Sequence, residues 1–164
     1  MIQLYKYMNY KIKIGVLITD DANKILLIKE KTEKTLVPMW NTIKGTYGDF
    51  KQESIFEAAI RESEEEAGVK VELLGLLGVY VAQKSDEAWT QFAFIAKIKE
   101  GIPHLANKDA QNKRDEFISE LKWFTTDETK KIKPEEFISS RTYKIVQDWL
   151  QNKRYNIDSI KQID

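Results

Sequence analysis

Residues 53–69, ESIFEAAIRESEEEAGV, hold a dense group of glutamates around a single arginine. Glu62 and Glu66 are one helical turn apart, a spacing at which like charges repel each other. On a helical wheel Glu62, Glu65 and Glu66 share one arc of roughly 100°. Such carboxylates can converge on a hard divalent cation, because Mg²⁺ takes oxygen ligands from a few carboxylates, water and substrate phosphates. The spacing predicts a divalent-metal site, and the alternative is a solvated acidic face.

Sequence signals mark both ends of the helix that must position these glutamates. Ser54 is the predicted N-cap, Glu57 completes a capping box, and Gly68 provides a C-terminal stop. Ser63 fits the buried side if its hydroxyl bonds to a carbonyl of the preceding turn. The predicted buried stripe consists of Phe56, Ile60, Ser63 and Ala67.

Apolar and β-branched runs on both sides of this helix predict strands. Residues 11–19 and 24–30 form a predicted hairpin around the turn DDAN. Further strands are predicted at residues 69–82, 89–98 and 120–125. Residues 31–53 lack periodicity and are predicted to form a long loop, which in a compact domain is usually functional or disordered. A C-terminal amphipathic helix is predicted from the helical spacing of Tyr143, Val146, Trp149 and Leu150.

Composition limits the classes of protein that this chain can represent. Its 164 residues predict one domain, residues 1–164, with a core at about residues 11–150. The 26 basic residues balance the 26 acidic ones, so no overall field favours nucleic acid or an anionic membrane. The absence of cysteine excludes disulfides and a cysteine nucleophile and fits a reducing compartment. We see no targeting segment or membrane span and expect a cytoplasmic protein.

The glutamate helix resembles the signature of the NUDIX hydrolases, the MutT-like pyrophosphohydrolases. That signature has a glutamate, seven residues, Arg-Glu, an apolar residue, any residue, Glu-Glu, any residue, glycine and an apolar residue. The matching positions here are Glu53, Arg61, Glu62, Glu65, Glu66, Gly68 and Val69. The segments MWNTIKG and ELKWFTTDE also resemble family features, and the likeness covers about residues 11–150. It implies an α/β fold, a NUDIX-type α/β/α sandwich with a central mixed sheet and a loop-helix-loop catalytic motif.

The sequence departs from the family pattern at three points. Tyr47 occupies the place of the opening glycine, with Gly45 and Gly48 on either side, so the loop is lengthened or shifted. The approach reads Ile-Lys-Gly in place of Pro-Gly-Gly, and a backbone carbonyl ligand from this loop is assigned to Gly45. Ser63 takes a position that is usually apolar.

The resemblance implies divalent-metal-dependent hydrolysis of a diphosphate linkage in a nucleoside diphosphate-linked substrate, with Mg²⁺ or Mn²⁺ as cofactor. Glu62 and Glu66 are the principal predicted ligands, Glu65 is a further ligand or base, and Gly45 completes the predicted metal set. Arg61, which the spacing pairs with Glu57 or Glu53, is expected to support the structure of the site. A later glutamate commonly joins such sites, and Glu116 is the first choice here and Glu120 the second. The predicted catalytic set comprises Glu65, Glu116, Arg61 and Glu53.

Several alternatives stay open at this point. A catalytically inactive NUDIX-fold module that binds a nucleotide or a protein is the main alternative, although the glutamates of the signature are all present. The isopentenyl diphosphate isomerase branch is disfavoured because its chemistry uses a cysteine. The expected partner is a small nucleoside diphosphate derivative, with no membrane and no nucleic acid except a 5′-phosphorylated RNA end. Oligomeric state is open, a homodimer included. His104 is predicted to be a surface residue, and no aromatic residue is assigned to specificity.

Overall fold

Four strands precede the first α-helix in the part of the chain that the structure describes, and three more strands and three more α-helices follow it. The computed structural model describes residues 8–32, 35, 37–84 and 86–163. Residues 1–7, part of the segment in which we see no targeting signal, lie outside the described residues. The strands are β1 (Asn9–Thr19), β2 (Ile25–Glu30), β3 (Met39–Asn41), β4 (Ile43–Thr46), β5 (Lys70–Lys84), β6 (Glu87–Glu100) and β7 (Ile118–Phe124). The helices are α1 (Ile55–Ala67), α2 (Lys108–Lys113), α3 (Thr126–Lys131) and α4 (Ser140–Leu150).

The strands form one mixed sheet in the order β3-β2-β1-β6-β5, with β4 paired to β1 and β7 paired to β2. Strands β1 and β6 run parallel along the whole of β1, and the other pairs are antiparallel. The predicted hairpin of β1 and β2 exists, but its register contains only Ile18 opposite Leu26 and Thr19 opposite Ile25. The predicted α/β class with a central mixed sheet is confirmed.

Alternate residues of the central strands supply two apolar clusters, one on each face of the sheet. Ile14, Val16 and Ile18 of β1 belong to the cluster that includes Ala58, Ala59 and Ala67 of α1. Leu17, which points to the other face because strand side chains alternate, belongs to the cluster that includes Ile145, Val146 and Trp149 of α4. The two helices therefore cover opposite faces, and the layers form the predicted α/β/α sandwich.

The segment predicted as a long loop contains two short strands. Met39–Asn41 pairs with β2, and Ile43–Thr46 pairs with β1. The prediction of a long loop over residues 31–53 is therefore wrong for residues 39–41 and 43–46. Strands of three and four residues are too short for alternation to show in the sequence.

Helix α1 begins and ends where the sequence predicts. The Ser54 side chain accepts a hydrogen bond from the Glu57 amide, and the Glu57 side chain accepts one from the Ser54 amide, so the capping box is present. Gly68 ends the helix in the left-handed conformation, with φ of 68°. Ser63 donates its hydroxyl to the Ala59 carbonyl at 2.9 Å, as predicted.

The buried stripe of α1 differs from the predicted one. Its buried residues are Ile55, Ala58, Ala59, Glu62, Ser63, Glu66 and Ala67, while Phe56 and Ile60 are only partly buried. The buried arc is thus rotated toward the glutamates, and Glu66 lies near its centre. The sequence prediction placed the carboxylates beside the core because it assumed that charged side chains avoid burial.

The chain beyond α4 returns across the molecule. Tyr155 forms an isolated antiparallel bridge with Leu76 of β5, and a 3₁₀ turn follows at Ile157–Ser159. Ile157 and Ile160 pack against the cluster beneath α1. None of the described helices has the length and apolar character needed to cross a membrane.

Candidate functional site

A pocket of about 890 Å³ brings together residues from β1, β2, β4, α1, β6, the segment before β7 and α4. It contains Glu62, Glu65 and Glu66 of α1. These three side chains are not splayed into solvent, since Glu62 is 5% exposed, Glu66 is 2% exposed and Glu65 is partly covered. The other charged side chains of the pocket are Lys13, Glu30, Lys31, Lys44, Asp49, Arg61, Arg114, Asp115, Glu116 and Arg141.

Arg61 connects the glutamates of the signature to one another. Its Nε and NH2 atoms each donate to Glu53 at 3.0 Å, and NH1 donates to Glu62 Oε1 at 2.6 Å and to Glu65 Oε1 at 3.4 Å. Burial disfavours the charge of Arg61, but Glu53 and Glu62 raise its pKa above the usual range. Of the two partners expected from the spacing, Glu53 is the one that pairs, because Glu57 is used in the capping box.

Glu62 lies directly against the backbone of β4. A methyl group at Gly45 would overlap the carboxyl group of Glu62, so only glycine leaves room for this side chain. Burial raises the pKa of Glu62 to about 7, against the attraction of Arg61. A bound cation would stabilise the charged form of a carboxylate that is buried beside the backbone of β4.

Glu66 is held in place by Lys44, the residue that precedes Gly45 on β4. The Lys44 amide donates to Glu66 Oε2 at 2.9 Å, and Lys44 Nζ lies 3.6 Å from Glu66 Oε1 and 3.0 Å from Glu30 Oε2. Asn41 donates to the other oxygen of Glu30 at 2.6 Å. Burial raises the pKa of Glu66 to about 8, and Lys44 opposes this effect. Glu30 and Lys44 therefore belong to the site, although the sequence analysis did not identify them.

Arg114 places Glu116 beside α1. Its Nε and NH2 atoms donate to the two carboxylate oxygens of Glu116 at 2.8 and 2.9 Å. NH2 also donates to the Glu65 carbonyl at 2.9 Å, and Nε lies 3.7 Å from Glu65 Oε2. This bidentate pair holds Glu116 in the pocket near Glu65. The signal that could have identified Arg114 is its position two residues before Glu116 in the same loop.

The other residues considered from the sequence lie away from the pocket. Glu120 is on β7, where it is exposed and faces Lys29 at 4.0 Å. His104 is exposed, as predicted, and its ring lies over Gly68 at the end of α1. Trp40 is part of the core on the α4 side. Tyr47 and Phe92 pack against the α1 side of the core, and Trp89 lies beneath Arg141.

The donor set fits a hard divalent cation in its chemistry. Within residues 8–32, 35, 37–84 and 86–163, no three acidic or histidine side chains form a preassembled metal site. Arg61 and Lys44 are paired with oxygens of Glu62 and Glu66. The two buried carboxylates beside β4 nevertheless supply oxygen atoms, which are the ligands that Mg²⁺ prefers.

A family model with the description NUDIX domain matches residues 9–145 of the chain. This match extends over most of the sequence and includes every glutamate of the pocket. No curated protein matches the sequence significantly.

Solved structures resemble the fold over nearly its whole length. A NUDIX hydrolase from Nitrosomonas europaea superposes with a TM-score of 0.76 at 22% identity, covering 94% of this chain and 98% of that one. A MutT NUDIX hydrolase from Burkholderia pseudomallei gives a TM-score of 0.66 at 25% identity, with 85% and 98% covered. A UDP-X diphosphatase gives 0.62 at 23% identity, with 90% and 66% covered.

Proposed function

The chain belongs to the NUDIX family, and from this membership we propose that it is a divalent-metal-dependent hydrolase that cleaves a diphosphate linkage in a nucleoside diphosphate derivative. The observation that carries the proposal is the single pocket in which Glu62, Glu65 and Glu66 of α1 lie with Glu116. A polyphosphate brings several negative charges to this acidic pocket, and divalent cations make such an encounter favourable.

Glu62 and Glu66, with the backbone carbonyl of Gly45, are the groups that would hold the cation. Bound there, Mg²⁺ or Mn²⁺ would act as a Lewis acid toward phosphate oxygens. The bidentate contact to Glu53 would still anchor Arg61 if Glu62 held a cation in place of its bond from Arg61. Lys44 would keep Glu30 as a partner if Glu66 held the cation.

We propose two carboxylates as candidates to accept the proton of the attacking water. Glu65 and Glu116 lie together through Arg114, and both face the pocket. Arg114 orients Glu116 through both carboxylate oxygens, while Glu65 has only longer ion contacts, of 3.4 and 3.7 Å. We assign Glu116 as the general base and Glu65 as a further ligand or the alternative base.

The experiment is a phosphate-release screen with Mg²⁺ and with Mn²⁺. Its substrates are nucleoside triphosphates, dinucleoside polyphosphates, ADP-ribose, UDP-linked sugars and 5′-triphosphorylated RNA. Glu66→Gln and Glu116→Gln are each expected to lower kcat by roughly 100-fold or more, because a ligand or a base is removed. Glu120→Gln is the matched control, since it removes an equal charge from an exposed strand position and is expected to keep kcat within about twofold.

The proposal fails if wild type and Glu66→Gln are equally inert on every compound. It also fails if wild type hydrolyses a substrate at the same rate in EDTA as in Mg²⁺. If Glu120→Gln loses activity and Glu116→Gln does not, the assignment of the base is wrong but the reaction class stands.

A second candidate is a catalytically inactive module that binds a nucleotide or a protein. The observation that favours it is the occupation of Glu62 and Glu66 by Arg61 and Lys44. Thermal melts separate the two candidates. Specific metal binding by the enzyme raises the melting temperature with Mg²⁺ concentration, and this rise is lost in Glu66→Gln. The inactive module shows no such rise and releases no phosphate.

A further inference from the structure

The pocket has a second group of polar side chains besides the glutamates. Lys13 of β1, Gln91 of β6 and Arg141 of α4 line it together. Lys13 and Gln91 stand opposite each other in the parallel register of β1 and β6, so their side chains leave the sheet on the same face. None of the three belongs to the signature helix, and the roles proposed above do not use them.

Arg141 is a half-buried guanidinium without an acidic partner among the described residues. Its Nε atom is buried and has no hydrogen-bond partner within the part of the chain that the structure describes. The group lies over the ring of Trp89, 5.7 Å from the ring centre, which fixes its position. Burial lowers the pKa of Arg141, and no carboxylate opposes this effect. An arginine remains charged in proteins, so this charge is uncompensated in the free protein.

Lys13 likewise forms no ion pair with any residue that the structure describes. Its Nζ atom donates to Thr46 Oγ1 at 2.6 Å. Burial lowers the pKa of Lys13, the positive charges of Lys11, Lys44 and Arg141 lower it further, and Asp49 alone opposes them. By contrast Lys44, Arg61 and Arg114, which lie on the glutamate side, are each paired with a carboxylate.

Gln91 completes this group as a buried amide that lines the pocket. It is 3% exposed, and a methyl group at Gly15 would overlap its side-chain nitrogen. Glycine at position 15 therefore leaves the room that the amide occupies. The NH₂ group of this amide can donate hydrogen bonds to an anion. Lys13 and Arg141 would attract such an anion to the same part of the pocket.

We propose that Lys13, Gln91 and Arg141 bind a phosphate group of the substrate that lies apart from the linkage that is cleaved. Two cations that form no ion pair with the described residues, together with an amide donor in the same pocket, match the charge and the several acceptor oxygens of a phosphate. That this phosphate is part of a substrate rests on the proposed function, whereas the anion site itself does not.

The substrate class follows from this assignment. A nucleoside triphosphate, a dinucleoside polyphosphate or an RNA 5′-triphosphate carries phosphate beyond a single diphosphate linkage. ADP-ribose and UDP-linked sugars carry only the linkage itself between neutral groups. We therefore place the preferred substrates among the former compounds.

Calorimetric titration of inorganic triphosphate in EDTA tests the anion site without metal or turnover. Wild type is expected to bind it, and Arg141→Gln and Lys13→Gln are each expected to weaken binding about tenfold, because each removes a charged hydrogen-bond donor. Lys130→Gln is the control of equal charge change, at an exposed position on α3. If Arg141→Gln does not fold, as judged by its thermal melt, Lys13→Gln on a different element decides the result.

The proposal is overturned if wild type binds no triphosphate, if the two variants bind it as wild type does, or if Lys130→Gln weakens binding equally. A kinetic split gives the second readout. Arg141→Gln is expected to raise KM about tenfold for the compounds with additional phosphate and to leave KM for ADP-ribose within about twofold. Absence of all hydrolysis would defeat the proposed function, while the EDTA titration would still decide the anion site.

Discussion

Glu62 and Glu66 are buried carboxylates whose positions are fixed before any ligand binds. Arg61 donates a hydrogen bond to Glu62, whose carboxyl group fits against the backbone because residue 45 is glycine. Glu66 is held by the amide and the side chain of Lys44. Buried charges are stable only when they are paired and hydrogen-bonded, so these partners explain how carboxylates can occupy the inner arc of α1. A cation bound at these carboxylates would therefore share them with Arg61 and Lys44 or take their place.

Gly45→Ala tests whether the site depends on this close contact. The new methyl group displaces the Glu62 carboxyl group, and overpacking of this kind lowers the free energy of unfolding by about 1–3 kcal/mol. We expect loss of the Mg²⁺-dependent rise in melting temperature and at least about a tenfold loss of kcat, because a predicted ligand has moved. Thermal melts with and without Mg²⁺ and initial rates measure both effects.

Gly48→Ala provides the matched control for that experiment. Gly48 has φ of 96°, and a methyl group there would meet no atom within 4 Å. Its substitution is expected to lower the free energy of unfolding by about 1 kcal/mol through backbone strain while keeping the Mg²⁺ response. Equal Mg²⁺ responses in Gly45→Ala and wild type would contradict the role of the Gly45 contact.

The residues of this site differ in how well a sequence reveals them. Glu62, Glu65 and Glu66 are visible because one helix fixes their relative positions through its repeat. Lys44 and Arg114 are not, because separate elements bring them to α1 through tertiary packing. Periodicity therefore predicts the group of carboxylates, while their catalytic and metal-binding roles stay predictions.

At the level of elements, strong local signals predicted boundaries well. The capping box marks the start of α1 and Gly68 marks its end, as expected. Strands β3 and β4 were missed because each pairs over only a few residues, and their pairing depends on β1 and β2. This error matters for function, since β4 supplies both Lys44 and Gly45 to the site.

Asp148 joins α4 to β5 and to the chain that follows α4. Its Oδ1 atom accepts from Lys144 and Lys153 at 2.7 Å each, and Oδ2 accepts from Tyr80 at 2.9 Å. Burial alone would raise the pKa of Asp148, but the bonds from Lys144, Lys153 and Tyr80 outweigh it and hold the pKa below its ordinary value of 3.8. The charged form of Asp148 is thus the form that the fold stabilises.

Asp148→Asn is expected to destabilise the protein in a pH-dependent way. A lowered pKa contributes stability above the unfolded pKa, and this contribution is lost as the pH falls through the folded pKa. The variant should lose about 1–2 kcal/mol at pH 7, a modest value because both lysines are partly exposed. The difference from wild type should be similar at pH 7 and pH 5 and should begin to shrink as the pH falls below 3.8 toward the lowered folded pKa. Urea unfolding at pH 7, 5 and 3 measures it.

Asp127→Asn is the control, because it removes a carboxylate from a strongly exposed pair with Lys130. It should change the free energy of unfolding by less than about 0.5 kcal/mol at every pH. A loss in Asp148→Asn that stays constant from pH 7 to pH 3 would show that the aspartate acts through packing and not through its charge.

For the whole molecule, the fold class was predictable and the topology was not. Apolar runs that alternate with a capped helix indicate an α/β protein. The order of the strands depends on the parallel pairing of β1 with β6, which are separated by more than 60 residues and share no local signal. The predicted hairpin of β1 with β2 is real but short, because β1 pairs mainly with β4 and β6.

The segment after α4 connects the two faces of the sheet. Tyr155 exchanges two backbone hydrogen bonds with Leu76, at 2.8 and 2.9 Å. Farther along, the side-chain oxygen of Gln162 accepts from the Ile55 amide at 2.8 Å, at the first turn of α1. The predicted core ends at about residue 150, so the sequence analysis did not include this connection to the helix that carries the glutamates.

Deleting residues 154–164 is expected to loosen the start of α1 and to lower the free energy of unfolding by about 2–4 kcal/mol. The estimate combines the Tyr155 bonds with the burial of Ile157 and Ile160, less the entropy of an ordered segment. Urea unfolding measures the total, and hydrogen exchange should show faster exchange at the Ile55 amide, which loses Gln162 as acceptor. Deletion of residues 163–164 is the control, because Ile163 is exposed. If both deletions leave Ile55 equally protected, the segment does not hold α1 in place.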